Sequence, residues 1–136
     1  MERRIQFTFL LLILTQAAHS IEEYVFRLHE VWAPARFVSS LLSNDLNTGF
    51  IIFNATLVLF GLACYAGAVR PGRRWARLWV WVWIIIELGN GIGHTAVSLW
   101  RNAYFPGLIT APLLMLLSAV LAVQVTQFQR QKRRDA

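Results

Sequence analysis

The sequence contains few charged residues and almost no cysteine. Only 15% of its 136 residues are Asp, Glu, Lys or Arg, whereas soluble domains usually carry about 25%. The single cysteine, Cys64, excludes an intrachain disulfide framework. Hydrophobic residues make up 57% of the chain and gather in long runs. This composition excludes an ordinary soluble domain and predicts one integral membrane domain over residues 1–136.

Charges and strong helix breakers are largely missing from four stretches of the chain. Each stretch has about 20 predominantly apolar residues, the length that a helix needs to cross a bilayer. The four stretches cover about residues 5–26, 49–69, 75–99 and 106–128. Between the second and third, "RPGRR" at residues 70–74 predicts a turn, because Pro71 and Gly72 end a helix. The predicted fold class is an all-α, four-helix transmembrane bundle.

The net charge of +6 indicates membrane topology rather than nucleic-acid binding. A nucleic-acid-binding surface interleaves basic residues with polar and aromatic ones, whereas here they cluster between apolar stretches. Ten of the 13 basic residues fall on one predicted side of the membrane and three on the other. By the positive-inside rule, both termini are therefore expected in the cytoplasm. We predict a multi-pass protein of the cell membrane, with membrane lipid and no nucleic acid among its partners.

The first apolar stretch also has the features of a signal peptide. It has a basic start, an apolar centre and small residues near a possible cleavage point. Cleavage would leave three spans, with the new N-terminus outside and the remaining basic clusters inside. A retained first helix is favoured because it also accounts for the polar residues that follow.

Polar residues form a stripe on two of the predicted helices. Residues three, four and seven positions apart share one face of a helix. On the first span, the stripe consists of Thr15, Gln16, His19, Glu22 and Glu23. On the third span, it consists of Glu87, Asn90 and His94. These stripes predict that the two helices turn polar faces into the bundle.

The two stripes lie at a similar depth in the membrane. From the helical rise, His94 lies about 9 Å below the outer interface marked by Trp100. His19 lies about 12 Å below Arg27, and Glu87 lies deeper, near the middle of its span. An ionised side chain near a helix centre is unfavourable by about 2.5–3.5 kcal/mol, and such residues mark relays or ligand sites. The predicted catalytic residues are His19, Glu22, Glu23, Glu87, Asn90 and His94.

A structural interpretation stands beside this functional one. The two adjacent glutamates would reach headgroups and water at the interface. The polar residues of both stripes would then only hold helices together by hydrogen bonds. His29 and Glu30, in the connection after the first span, are expected at the surface. The coincidence of histidine and carboxylate on two helices at one depth favours a functional site.

The residue types of the site suit a metal ion. Imidazole and carboxylate groups are ligands of both zinc and iron. One divalent metal, Zn or Fe, would be held by His19, Glu22, Glu23 and His94. The order on the first helix is the reverse of the Glu-x-x-His pattern of di-metal bundles, and only two helices contribute clearly. A mononuclear site is chemically sensible. Without a metal, the same groups would form an acid/base site.

Three motifs together resemble one protein family. They are "HSIEE" at residues 19–23, a second histidine at His94, and "YFPG" at residues 104–107. This order resembles the HXXEE membrane-protein family, whose pattern includes a second histidine and a Tyr-x-Pro-Gly motif. The resemblance extends from about residue 15 to about residue 120. It implies an integral membrane protein, and the family has no established biochemical function.

The "YFPG" motif is expected in an outer loop above His94. Pro106 is expected to start the fourth helix, and Gly107 permits close packing or an unusual turn. Residues predicted to bind a substrate or a lipid headgroup are Arg101, Tyr104, Pro106 and Gly107. The alternative is an interfacial anchor for a tight turn.

Three classes of function fit these observations. The first is an intramembrane enzyme acting on a lipid-like small molecule. The second is a small ion- or proton-coupled transporter or a channel subunit, which would need polar residues in the inner half of the membrane or a homo-oligomer. The third is a structural or accessory membrane protein.

Overall fold

The computed structural model describes residues 1–134, which fold into α-helices without any strand. The four long helices are α1 (Arg3–Val25), α4 (Leu46–Cys64), α5 (Ala76–Arg101) and α6 (Ala111–Arg134). The short helices α2 (Leu28–Val31) and α3 (Ala33–Leu42) lie between α1 and α4, and α4 continues into a π-helical turn, Tyr65–Val69. All four long helices are long and apolar enough to cross a membrane. The predicted all-α, four-helix architecture is confirmed.

The long helices pack mainly around α1 and α6. Helix α6 packs along both α5 and α1, and α1 also packs against α4. The core includes Phe9, Leu12, Trp83 and Leu121, which are all fully buried. Because lipid tails are as apolar as this core, van der Waals contacts rather than removal from water hold the helices together.

Both ends of the described part of the chain, residues 1–134, lie at the same end of the bundle. The Gln6 side-chain amide donates to the backbone oxygens of Met1 (3.2 Å) and Arg70 (3.0 Å), which ties the N-terminus to the turn after α4. Lys132, near the end of α6, lines the same cavity as Met1 and Arg73. The basic clusters therefore share this terminal end. We call the opposite end, formed by α2, α3 and residues 102–110, the loop end.

The connection between α1 and α4 is folded and partly buried. Helix α3 packs closely on α4, because a Cβ at Gly49 would lie only 2.0 Å from the backbone oxygen of Ser39. His29 is fully buried, and its Nε2 lies 2.9 Å from Asn47 Oδ1 at the start of α4. The expectation that His29 lies at the surface is therefore wrong. Glu30 is exposed, as expected, and pairs with Arg27.

The fourth long helix begins later than the sequence indicated. Residues 102–110 form a loop, and α6 begins at Ala111 rather than near Pro106. The physical reason lies at Gly107, whose φ of +96° is incompatible with a right-handed helix. The first and third helices begin and end within a few residues of their predicted limits.

Candidate functional site

Three buried side chains meet at the loop end of the bundle. His19 and Glu23 extend from α1, and His94 extends from α5. Glu23 Oε1 lies 3.4 Å from His19 Nε2 and 3.0 Å from His94 Nε2. All three ligand-type atoms lie within 4.8 Å of one another, and these residues could hold a metal ion. We call them the His/Glu triad.

Helical spacing and packing together assemble the triad. His19 and Glu23 are four residues apart, so they share one face of α1. Helices α1 and α5 both pack on α6, which brings His94 opposite that face. The two imidazole rings meet edge to face with centroids 4.7 Å apart.

The orientation of His94 follows from its hydrogen bond to the backbone. His94 Nδ1 lies 2.6 Å from the carbonyl oxygen of Pro106. A carbonyl oxygen only accepts, so Nδ1 carries the hydrogen and donates it. In the neutral ring, Nε2 therefore holds the lone pair and directs it at Glu23.

His19 is oriented by a relay of two side chains. Its Nδ1 lies 2.7 Å from Thr110 Oγ1. The Thr110 hydroxyl donates its single hydrogen to Glu22 Oε2 at 2.6 Å, so it must accept from His19 Nδ1. In the neutral ring, His19 Nε2 then holds the lone pair, and it finds no hydrogen-bond donor among residues 1–134.

Three electron-pair donors thus converge on one small volume. Two neutral Nε2 atoms and a carboxylate oxygen would repel one another, so the arrangement needs a positive charge between them, either protons or a metal ion. Ligands of a tetrahedral zinc with bonds of ~2.0–2.1 Å are roughly 3.3 Å apart. The separations of 3.0 and 3.4 Å from Glu23 Oε1 are close to that value.

Glu22 lies beside the triad but faces the other way. Its carboxylate accepts hydrogen bonds from the Tyr104 hydroxyl (2.7 Å) and the Ile109 backbone N–H (2.9 Å). It also accepts from the backbone N–H and hydroxyl of Thr110, at 2.9 and 2.6 Å. These four donors occupy both oxygens. Glu22 was predicted as a catalytic residue and metal ligand, whereas here it anchors the 102–110 loop.

The "YFPG" motif surrounds the triad. Partial burial and the hydrogen bond to the Glu22 carboxylate raise the pKa of Tyr104 above its usual range, which keeps it a donor. Pro106 supplies the carbonyl oxygen that orients His94. A Cβ at Gly107 would lie 2.6 Å from His94 Nδ1 and 2.7 Å from His19 Cε1, so only glycine fits between the rings. These contacts position the histidines.

Aromatic side chains cover the triad on its loop side. The rings of Trp32 and Phe105 have centroids 6.2 and 5.4 Å from that of His94. Arg101 is exposed, and its guanidinium lies over the Phe105 ring, 5.2 Å from the ring centroid. Arg101 therefore does not reach the triad. Sequence reasoning missed Trp32, Phe105 and Thr110, because no local pattern distinguishes them from other loop residues.

The remaining two predicted residues lie outside the triad. The Asn90 side-chain amide donates to Gln16 Oε1 at 3.3 Å, which links α5 to α1. Glu87 is fully buried, and the Asn90 side chain, about one turn further along α5, is the hydrogen-bonding neighbour of its carboxyl group. The structure thus separates the predicted polar stripe of α5 into His94 in the triad and two residues deeper in the bundle.

A cavity of about 510 Å³ reaches Glu23 from the side. It lies between α4 and α5, which make few contacts with each other, and α3 covers it. Its walls are mostly apolar, with Phe53, Leu57 and Ile86 among them. One triad residue therefore borders a space large enough for part of a lipid-like molecule.

The helices and the triad define a class of protein before any comparison is made. Four membrane-length helices that enclose two histidines and a glutamate indicate a multi-pass membrane protein with a buried His/Glu site. Residues 10–122 match the family model described as "Protein of unknown function with HXXEE motif", and the chain belongs to that family. The motif's first and last residues, His19 and Glu23, are two of the three triad members. No curated protein and no solved structure matches the chain significantly.

Proposed function

We propose that the protein is an intramembrane metalloenzyme acting on a lipid-like substrate. Its metal, one zinc or iron ion, would be bound by His19 Nε2, Glu23 Oε1 and His94 Nε2. The observation that carries the proposal is the hydrogen-bond pattern on the far side of both rings. Pro106 O accepts a hydrogen bond from His94 Nδ1, and Thr110 Oγ1 accepts one from His19 Nδ1. In the neutral rings, both Nε2 lone pairs are therefore directed at Glu23.

Such outer partners are typical of metal sites. A metal-binding histidine usually donates its other ring N–H to a carbonyl or carboxylate, which sets the tautomer and the ring orientation. His94 has a carbonyl in this position. His19 has a threonine hydroxyl that passes the contact on to the Glu22 carboxylate. Both histidines of the triad therefore meet the requirement.

The number of protein ligands favours catalysis over a structural role. Catalytic zinc sites use three protein ligands and leave one position for water or substrate, whereas structural sites use four. Bound there, the ion would supply a Lewis acid and an activated water. The residues of this chain orient the ligands and, through Trp32 and Phe105, limit the access of bulk water from the loop side.

The substrate class follows from the position of the cavity. Its mostly apolar walls and its place between two membrane-length helices suit an alkyl chain that enters from the bilayer. Glu23 on the cavity wall would bring the polar part of that molecule to the metal. The excess of basic residues at the terminal end supports a cytoplasmic location for both termini in the cell membrane.

Metal analysis tests the proposal directly. Protein purified in detergent and supplied with zinc or ferrous iron is expected to hold about one equivalent per chain. His19→Ala and His94→Ala should each lose it, because two ligands rarely retain a divalent ion against buffer. A wild-type protein without metal above background would contradict the proposal.

His29→Gln is the matched control. His29 is also buried, but its Nε2 contacts Asn47 rather than the triad. This variant removes a histidine of the same kind and should keep the metal. Equal metal loss in all three variants would indicate unfolding instead of ligand removal.

A metal-free acid/base enzyme is the first alternative. Protons on the imidazoles would also provide the positive charge that the triad needs, and an isomerase requires only such groups. Wild-type protein that binds no metal but still converts a lipid, with loss of activity in His19→Ala, would support this alternative.

A proton-coupled transporter is the second alternative, and Glu87 favours it. This carboxyl group is fully buried and lies deeper in the bundle than the triad, with the Asn90 side chain beside it. Between Glu87 and the terminal end, however, the core includes Ile5, Phe9 and Leu12. Transport in proteoliposomes that Glu87→Gln abolishes would support this function. If every substitution only lowers thermal stability, the polar groups have a structural role.

A further inference from the structure

The cavity wall carries a continuous strip of polar side chains. Gln16 and Ser20 of α1, Asn54 of α4 and Asn90 of α5 join three helices by hydrogen bonds. Gln16, Ser20 and Asn54 are buried, and Asn90 is partly exposed. Three of the four, all except Ser20, line the cavity together with Glu23. This strip is distinct from the triad and has no part in holding its histidines.

One backbone carbonyl determines the direction of every hydrogen bond in the strip. The Phe50 oxygen lies 3.1 Å from the Asn54 side chain and only accepts, so Asn54 must present Nδ2 to it. Asn54 Oδ1 therefore faces Ser20 and takes the hydroxyl hydrogen at 2.7 Å. Ser20 has no second hydrogen, so it must accept from Gln16 Nε2 at 3.1 Å.

The same reasoning continues to Asn90. With Nε2 directed at Ser20, Gln16 presents Oε1 to α5, and Asn90 must donate to it through Nδ2 at 3.3 Å. Asn90 Oδ1 is thus left over and accepts none of the hydrogen bonds formed among residues 1–134, while the Asn90 amide also lies beside the Glu87 carboxyl group. The strip ends in an unpaired acceptor on a residue that lines the cavity.

This acceptor lies at a defined distance from the triad. Asn90 precedes His94 by four residues, which is one helical turn, or about 6 Å along α5. A chain whose polar head reaches Glu23 would pass Asn90 on its way into the apolar part of the cavity. The group beside Asn90 belongs to the ligand's chain rather than to its head.

We propose that the cavity selects a single-chain lipid with a hydroxyl group on its chain, and that this hydroxyl donates a hydrogen bond to Asn90 Oδ1. The inference rests on the proposed function for the position of the polar head at the metal. An unsubstituted chain would leave the amide oxygen unpaired in apolar surroundings, which is unfavourable. A hydroxyl also accepts, so it could in addition take a hydrogen bond from an amide N–H of the strip.

Hydroxy fatty acids are suitable probes, because their carboxylate can occupy the open metal position. Binding to the metal-loaded protein in detergent is measured by thermal shift and calorimetry. The series comprises an unsubstituted long-chain acid, acids with the hydroxyl at successive chain positions, and the methyl ether of the best binder. One intermediate hydroxyl position should bind roughly threefold to tenfold more tightly than the unsubstituted acid, as expected for one net hydrogen bond. The ether should lose that advantage.

Asn90→Leu should abolish the hydroxyl preference while the bound metal remains. Gln127→Leu is the matched control, because it removes an exposed side-chain amide on α6, away from the cavity. Equal binding of the hydroxy acids and the unsubstituted acid by the wild type overturns the inference, whether or not the Asn90 variant folds. A preference for the hydroxy acid that persists in Asn90→Leu also overturns the inference.

The same data separate this inference from the proposed function. Metal bound without any hydroxyl preference leaves the metal site standing and overturns the hydroxyl recognition. A hydroxyl preference in protein that binds no metal supports recognition of the hydroxyl by Asn90 and contradicts the proposed metalloenzyme function. Absence of any fatty-acid binding by metal-loaded wild type overturns the inference.

Discussion

At Gly107 the chain turns back between two imidazole rings. A methyl group there would lie 2.6–2.8 Å from ring atoms of His94 and His19, closer than van der Waals contact allows. The positive φ of +96° adds a conformational penalty for any other residue. The glycine of the "YFPG" motif is thus explained by the site itself, not by helix packing in general.

Gly107→Ala should therefore weaken metal binding by roughly 10- to 100-fold, the range seen when the surroundings of metal ligands are disturbed. Competition with a metal chelator measures the affinity. Gly93→Ala is the control, because a Cβ there has nothing within 4 Å. Unchanged affinity in Gly107→Ala would show that the rings are not confined as described.

The Thr110 hydroxyl links His19 of the triad to the Glu22 carboxylate. It accepts from His19 and donates to Glu22, with both contacts under 2.8 Å. Valine has the same shape but cannot do either.

Thr110→Val is expected to reduce metal affinity by roughly 10- to 100-fold, since His19 loses the partner that sets its tautomer. Thr126→Val serves as the control, because the Thr126 hydroxyl only contacts the Ala122 carbonyl on α6. Equal affinities for wild type and Thr110→Val would contradict the relay.

At the scale of elements, α2 and α3 form a cover over the cavity. Trp32, between them, packs near His94, and α3 lies directly against α4 at Gly49. The close contact allows α3 to cover the gap between α4 and α5. The width of the cavity thus depends on the packing of a ten-residue helix.

Gly49→Ala should displace α3, because the added Cβ would lie 2.0 Å from the Ser39 oxygen. We expect a loss of stability of about 1–3 kcal/mol, typical of overpacking, and weaker fatty-acid binding with unchanged metal content. Thermal unfolding and calorimetry measure both quantities. Gly89→Ala is the control, since its Cβ would meet nothing within 4 Å. If binding is unaffected, α3 does not shape the cavity.

Helix α1 is an integral part of the bundle rather than an appendage. It supplies His19 and Glu23 to the triad and packs on both α4 and α6. Cleavage near residue 20 would remove one histidine of the site. The mature protein is therefore expected to keep its first span, and N-terminal sequencing or intact mass would reveal a shorter chain if that expectation fails.

At the scale of the whole molecule, the two ends differ in charge. Ten of the 13 basic residues belong to the clusters of the terminal end. The His/Glu triad and the cavity lie towards the opposite, loop end. If the terminal end is cytoplasmic, the site lies in the outer half of the membrane.

Cysteine labelling of intact cells tests this orientation. In a Cys64→Ser background, a membrane-impermeant maleimide should label Asn102→Cys but not Arg73→Cys. Permeabilised cells provide the control, since both positions are exposed and should then react. Labelling of Arg73→Cys in intact cells would indicate that the terminal end faces outward, the opposite of the expected orientation.

Much of the fold could be read from the sequence, but the start of α6 could not. Apolar length and breakers located four helices, whereas the 102–110 loop depends on the Gly107 backbone and on Glu22. The pattern of apolar and polar residues along the chain does not show that Glu22 binds a loop so far away in the sequence. The buried position of His29 was missed for the same reason, since its partner Asn47 lies in another element.

The sequence by itself determined the class of fold and the pool of reactive side chains, because apolar length and helical periodicity are local properties of the chain. Only the tertiary structure decided which glutamate joins the histidines. Glu22 and Glu23 are neighbours in sequence but point about 100° apart around α1. A loop more than 80 residues further along satisfies Glu22 completely, and Glu23 is left facing His19 and His94.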